Sequence, residues 1–234
     1  MTPEQHAALH ALTTTVRASF GPDVVAHDFA HLQRVAHNAT RLLEIEAGDR
    51  FVVLAACLLH DLHRILERDR GEHVTPAQAE AEVRGLLAAH AVDEPTVAHI
   101  CACIDATERY RCAGDVIDAA SMSAEQRIVR DADMLDALGA VGIARAFMFG
   151  GRLGEPLWVA EPIHDTFQPG HTASIVHHFH EKLLQLHREM LTEEGQRVAL
   201  QRTQRMREYL DALRDELGVA SFGAVAAASA SGDI

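Results

Sequence analysis

Sixteen histidines in a chain of 234 residues make imidazole the first chemistry to consider, because it titrates near neutrality and also ligates metals. Four residues concentrate that chemistry. His60 and Asp61 close a continuous apolar run, LAACLLHD, where burying an imidazole and a carboxylate is unfavourable without partners. A cation satisfies both together, whereas an arginine such as Arg34 or Arg64 satisfies only Asp61. His31, in HDFAHLQRV, lies about 100° around a helix from Leu32, at the margin of an apolar stripe and within reach of a neighbouring helix. Downstream, IVRDADMLD crowds Asp131, Asp133 and Asp136 together, like charges that need a cation or a helix N-terminus to offset them. Hard oxygens mixed with borderline nitrogens suit one divalent ion from among Mn, Fe, Co, Ni, Zn and Mg, and not a structural zinc held by thiolates.

The elements that must position these residues read as helices throughout. Thr2, Pro3 and Gln5 form a capping box with proline at the first helical position, and that helix runs to Phe20 before Gly21–Pro22. From Asp28, the residues Phe29, Leu32, Val35, Ala36, Ala39, Leu42 and Leu43 repeat at helical period up to Gly48. Phe51 to Leu62 is apolar almost all round and predicts a central buried helix. Thr75–Gln78, Asp93–Pro95 and Ser123–Gln126 open three more helices, the second running to about Thr107 and the third leading into Asp131. A helix over Met134–Phe149 is expected to stop at Gly150–Gly151, and residues 151–170 read as a long surface loop. Helices over His171–Leu191 and Glu193–Leu217 follow, with Thr192 between them as a cap. The expectation is an all-α, single-domain helical bundle over residues 1–218, followed by an Ala/Ser/Gly-rich disordered tail at 219–234.

Bulk composition narrows the partners. A formal net charge of −13 argues against a surface that coats a nucleic-acid polymer. It leaves room for a small anionic substrate, because a bound cation reverses the local field. No apolar run reaches transmembrane length and MTPEQHAALH lacks a signal-peptide pattern, so the reading is cytoplasmic and without a membrane partner. Cys57, Cys101, Cys103 and Cys112 form no CxxC pair and read as reduced core residues. Self-association is left open.

In chain order, the H…HD…D pattern resembles the ligand signature of the HD-domain superfamily of metal-dependent phosphohydrolases. The segments HDFAHLQRVAHNATRLLE, AACLLHD and IVRDADMLDALGAVGIARAF, and the stretch from TASIVHHFHEK to QRMREYL, are similar to one subgroup. It comprises small stand-alone bacterial HD hydrolases, and the likeness covers about residues 20–213. The resemblance implies His31, His60, Asp61 and Asp131 as metal ligands around a single ion, with water in the remaining positions. Relatives with two metals add histidines between the doublet and the last aspartate, where this chain has His73, His90 and His99. A histidine expected near the end of the helix at Val97–Tyr110 is replaced by Thr107, which favours one metal.

The implied reaction is hydrolysis of a small phosphate ester, a nucleotide or related phosphomonoester, by water that the ion activates. Asp61, Arg64 and His63 are the catalytic candidates; Arg64, Arg145 and His73 are the candidates for holding substrate. Arg34, Asp133 and Asp136 are expected to brace the ligands, one aspartate orienting a histidine and the arginines pairing with the aspartates. His177, His178 and His180 look like a cluster but follow a helix whose core side is supplied by Ile175, Val176, Phe179 and Leu183, so they read as exposed or structural. The rival readings are a diiron HD-domain oxygenase and a non-catalytic metal- or nucleotide-binding module.

Overall fold

The computed structural model describes residues 1–20, 27–164, 167 and 172–223. Within them the chain forms ten α-helices and three short 3-10 turns, with no strand among the described residues. In order these are α1 Pro3–Ser19, α2 Phe29–Leu42, α3 Arg50–Leu59, α4 Leu62–Arg70, α5 Pro76–Ala88 and α6 Glu94–Asp105. There follow α7 Ala124–Asp136, α8 Gly139–Leu153, α9 Ile175–Glu181 and α10 Glu193–Leu217. The expected all-α bundle is therefore what the chain forms. The stop signal at Gly21–Pro22 and the tail beyond residue 223 lie outside the described residues.

The caps read from sequence act as such. Thr2, Thr75 and Ser123 each accept from the backbone N–H three residues on, and the glutamine there returns its side chain to the cap's N–H. Helix α3 sits at the centre, with Val53, Ala55, Ala56 and Cys57 wholly buried, and it packs against α1, α2, α6 and α7. The long α2–α7 contact brings the segment of His31 against that of the aspartates. All four cysteines are free, Cys57 and Cys103 buried. Burial pushes the Cys103 thiol up to about 12, with Glu125 and Cys101 adding to the shift, so it remains protonated and inert. No single helix among the described residues is long and apolar enough to cross a membrane.

Three expected helices are broken, and two of the breaks shape the site. The apolar run over Phe51–Leu62 divides at His60–Asp61, where Asp61 adopts φ −96°, ψ 14° between α3 and α4. The interrupted ladder leaves carbonyls without amide partners. Histidine side chains take two of them: His60 Nδ1 donates to the Cys57 carbonyl and His63 Nδ1 to the His60 carbonyl, each at 2.9 Å. Further on, the single helix expected over His171–Leu191 is α9 followed by a 3-10 segment, Leu183–Arg188, with Lys182 at the break.

The helix expected over Met134–Phe149 is instead divided between α7 and α8, which meet at 66°. It also runs past Gly150–Gly151 to end at Gly154, which has φ 73°. Gly142 makes the α7–α8 corner sterically feasible, since a Cβ there would lie 2.2 Å from the Ala137 carbonyl oxygen. Gly142→Ala is accordingly expected to destabilise the fold by about 2–3 kcal/mol. By contrast, Gly85→Ala, inside α5 with nothing within 4 Å of a new Cβ, should add about 0.5–1 kcal/mol. Urea midpoints of the two variants, read with unchanged m-values, check both signs.

Candidate metal centre

The break at His60–Asp61 turns both side chains toward α2 and α7. His31, from the first turn of α2, and His60, at the end of α3, bring their Nε2 atoms to 3.2 Å. Asp61 Oδ2 lies 3.3 Å from His31 Nε2 and 3.6 Å from His60 Nε2. Asp133 Oδ1, from α7, lies 3.4 and 3.6 Å from the same two nitrogens. The histidines are 0% and 2% exposed, so bulk water does not screen the cluster.

Hydrogen bonds assign the ring protons. His31 Nδ1 donates to Asp136 Oδ2 at 2.7 Å, and His60 Nδ1 donates to the Cys57 carbonyl. With those protons on Nδ1, each ring offers an Nε2 lone pair once a cation takes the place of the Nε2 proton, and the two nitrogens face two carboxylate oxygens. Such a group requires positive charge between its members. The same demand appears in the direction of the pKa shifts. Burial opposes charge on His31, yet Asp133, Asp136 and Asp61 raise its pKa to about 10. His60 is shifted upward against its own burial by Asp61 and Asp133. Asp61 and Asp133 are held below the usual carboxylate range despite burial, through His27 and His60 for the first and His31 and His60 for the second.

A divalent ion meets this demand with suitable geometry. Ligand atoms at about 2.0–2.2 Å from an ion stand about 3.0 Å apart in an octahedron and about 3.4 Å apart in a tetrahedron, close to the separations here. Among the described residues, two overlapping groups are close enough to share an ion: His31–His60–Asp133 and His27–His31–Asp61. His27 Nδ1 is 2.8 Å from Asp61 Oδ2. His73, His90 and His99 belong to neither group. Thr107 is buried and spends its hydroxyl on the Ile104 carbonyl.

Asp136 completes the setting. It accepts from His31 Nδ1 and from Nε and Nη2 of Arg34 at 2.8 and 3.0 Å, and it pairs with Arg145 Nη1 at 3.0 Å. The expected bracing by an aspartate and the expected arginine pairs thus meet on this one carboxylate. Asp136→Asn should weaken metal binding about 10- to 100-fold, as read by calorimetric titration of the chelator-stripped protein with Mn.

The aspartates of α7 divide differently from the sequence expectation. Asp131 does not join the cluster. Its carboxylate accepts from Leu191 N (2.9 Å), Thr192 N (2.8 Å) and Thr192 Oγ1 (2.7 Å), at the start of α10. Burial pushes its carboxyl up to about 6 against those hydrogen bonds. Asp133, expected only to brace, stands where the last aspartate of the pattern was expected. The physical reason is helical phase: two residues apart is about 200°, so Asp131 and Asp133 leave opposite faces of α7.

Asp61 and Asp133 open onto a cleft of about 700 Å³, lined also by Arg64, Glu108, Arg145 and Lys182, within the usual range for small-molecule sites. Arg64 is held by Glu67 at 2.9 Å and Glu108 at 3.5 Å. His63 is buried, with Nε2 3.4 Å from Glu108 Oε1. With His73 it lines a separate hollow of about 210 Å³. His73 is 73% exposed and pairs with Glu67, so the structure does not bring it to the cleft. His178, expected to be exposed or structural, lines the cleft; burial lowers its pKa to about 4, with Lys182 adding to the shift. Lys182 was not singled out in the sequence, because the three histidines before it carried the stronger signal.

Comparison with known proteins places this fold among HD-domain proteins. The HD domain family matches residues 28–138, a span that holds all four clustered side chains. The Bacillus subtilis protein YpgQ is 32% identical over 209 residues, 88% of this chain and 92% of the relative. A crystal structure of a Lactobacillus plantarum protein superposes with a TM-score of 0.77 at 30% identity, covering 93% of this chain and 99% of that one. YpgQ solved in complex with ADP gives 0.71 at 28% identity, covering 94% and 100%. An HD-superfamily hydrolase from Bacillus thuringiensis gives 0.68 at 29%, covering 93% and 100%.

Proposed function

This chain belongs to the HD-domain superfamily and is a metal-dependent hydrolase of that type, and from that premise we propose that it hydrolyses a phosphate ester of a nucleotide. The observation that carries the proposal is that His31 Nε2 and His60 Nε2 lie 3.2 Å apart and each stands 3.3–3.6 Å from Asp61 Oδ2 and from Asp133 Oδ1, beside a cleft whose lining includes Arg64, Arg145 and Lys182. The B. subtilis relative solved with ADP supports a nucleotide as the substrate class.

In this reading His31, His60, Asp61 and Asp133 hold one divalent ion. When bound, the ion supplies a Lewis acid for a phosphoryl oxygen and lowers the pKa of water. The remaining work falls to the protein. Asp136 keeps His31 in the tautomer that presents Nε2, and Cys57 does the same for His60 through its carbonyl. Arg64 offers its guanidinium to the phosphoryl oxygens from one side of the cleft, held in place by Glu67 and Glu108. Arg145, anchored on Asp136, faces the same cleft. His63 is assigned to bracing Glu108, because it lines the neighbouring hollow and not the cleft itself.

The test is phosphate release from nucleoside mono-, di- and triphosphates and sugar phosphates, with chelator-stripped protein before and after reloading with Mn. Turnover of nucleotides only after reloading is expected. Equal turnover in stripped protein, or turnover confined to the sugar phosphates, would contradict the proposal.

A further inference from the structure

Of the cleft's cations, Lys182 is held in a way that leaves its charge without a carboxylate. Arg64 pairs with Glu67 and Glu108, and Arg145 pairs with Asp136. Lys182 instead follows the last turn of α9, where the chain breaks into the 3-10 segment, at φ −124°, ψ −65°. Its Nζ lies 4.5 Å from the centroid of the Tyr110 ring and 4.7 Å from that of Phe167. Burial lowers the Lys182 pKa, Cys112, Asp133 and Glu108 oppose that shift only at longer range, and among the described residues no ion pair engages the ammonium. The two ring faces attract an ammonium and fix its direction, but they supply no hydrogen-bond acceptor. A lysine stem is flexible; packing between two rings removes that freedom before any ligand arrives, which lowers the entropic penalty of binding. The cleft that Nζ shares with Asp61 and Asp133 is lined by Tyr110, Phe167 and His178 on this side.

We propose that Lys182, clamped between Tyr110 and Phe167, is the anchor for a phosphate group of the ligand and sets the cleft's preference for phosphorylated over unphosphorylated compounds. The inference deepens the nucleotide reading and rests on it for the identity of the substrate, but not for the anion itself. Removing the charge should therefore lower affinity for phosphate-bearing ligands while the metal centre keeps its ion.

The experiment is calorimetric titration of Mn-loaded protein with inorganic pyrophosphate and, separately, with ADP, for the wild type, Lys182→Met and Lys182→Arg. Methionine keeps an unbranched stem between the rings, and Mn content and thermal midpoint report whether the fold is intact. Both ligands are expected to bind the wild type. Lys182→Met should lose about 10- to 100-fold in affinity for both ligands, and Lys182→Arg should recover most of that loss. Pyrophosphate affinity unchanged in Lys182→Met, or absent in the wild type, would overturn the proposal. Lys182-dependent binding of pyrophosphate with no binding of ADP would uphold the anchor and reject the nucleotide.

Discussion

Asp133→Ala is expected to abolish both stoichiometric metal binding and hydrolysis while leaving the helical fold in place. Asp133 Oδ1 is the α7 contribution to the cluster, 3.4 Å from His31 Nε2 and 3.6 Å from His60 Nε2. Without it the two imidazoles retain only Asp61 as an anionic companion, and α7 sends no other carboxylate into that space. Asp136 is committed to His31 Nδ1, Arg34 and Arg145, and Asp131 points to α10. Activity should fall about a thousandfold or more, equivalent to about 4 kcal/mol of transition-state stabilisation. Stabilisation by added Mn should vanish as well. An ion that binds only the folded chain raises stability by about 2.7 kcal/mol at a hundredfold excess over its dissociation constant, and the variant forfeits that increment. Mn content, circular dichroism and melting curves with and without Mn read all three; a variant that keeps its ion and its activity would remove Asp133 from the centre.

Asp131→Ala should do the reverse. Its carboxylate receives the Leu191 and Thr192 amides and the Thr192 hydroxyl in a wholly buried position, against the positive end of the 25-residue helix α10. Truncation strands buried donors and leaves the fully buried Arg130 with one fewer anion nearby, since its Nη1 stands 4.0 Å from Asp131 Oδ1. A loss of about 3–5 kcal/mol is expected, visible as a lower urea midpoint. At a temperature where the variant is folded, its Mn affinity should stay within about threefold of wild type, because neither Asp131 oxygen faces the cluster. Loss of Mn binding from folded Asp131→Ala would show that the division between the two aspartates is mistaken.

The contrast between these residues also marks how far the sequence could be read. Capping boxes at Thr2, Thr75 and Ser123, and the apolar stripe beginning at Phe29, are local signals, and the helices they announce form as expected. The breaks at Asp61 and Lys182 are imposed by packing between distant segments, and no glycine or proline marks them, whereas the one at Ala137–Leu138 is marked locally by Gly139, at φ 72°. His31, His60 and Asp61 were legible because polar groups at the edge of apolar runs need partners. The aspartate cluster was legible as an anomaly, and both remedies named for it occur: Asp131 takes a helix N-terminus and Asp133 the electron-rich centre. Which aspartate took which remedy could have been narrowed by phase alone. Asp133 and Asp136 are three residues apart and share a face, and both lie beside His31, whereas Asp131 leaves the opposite side. The cleft cations were harder to find. Arg64 and Arg145 lie near the motif in the chain, but Lys182 is brought to the cleft from α9 by tertiary packing.

Anomalous diffraction from a crystal soaked in Mn reads the composition of the metal centre without recourse to activity. One strong peak is expected at about 2.0–2.4 Å from His31 Nε2, His60 Nε2, Asp61 Oδ2 and Asp133 Oδ1 together. A peak ligated by Asp131, or full Mn occupancy with Asp133 outside the coordination shell, would contradict it.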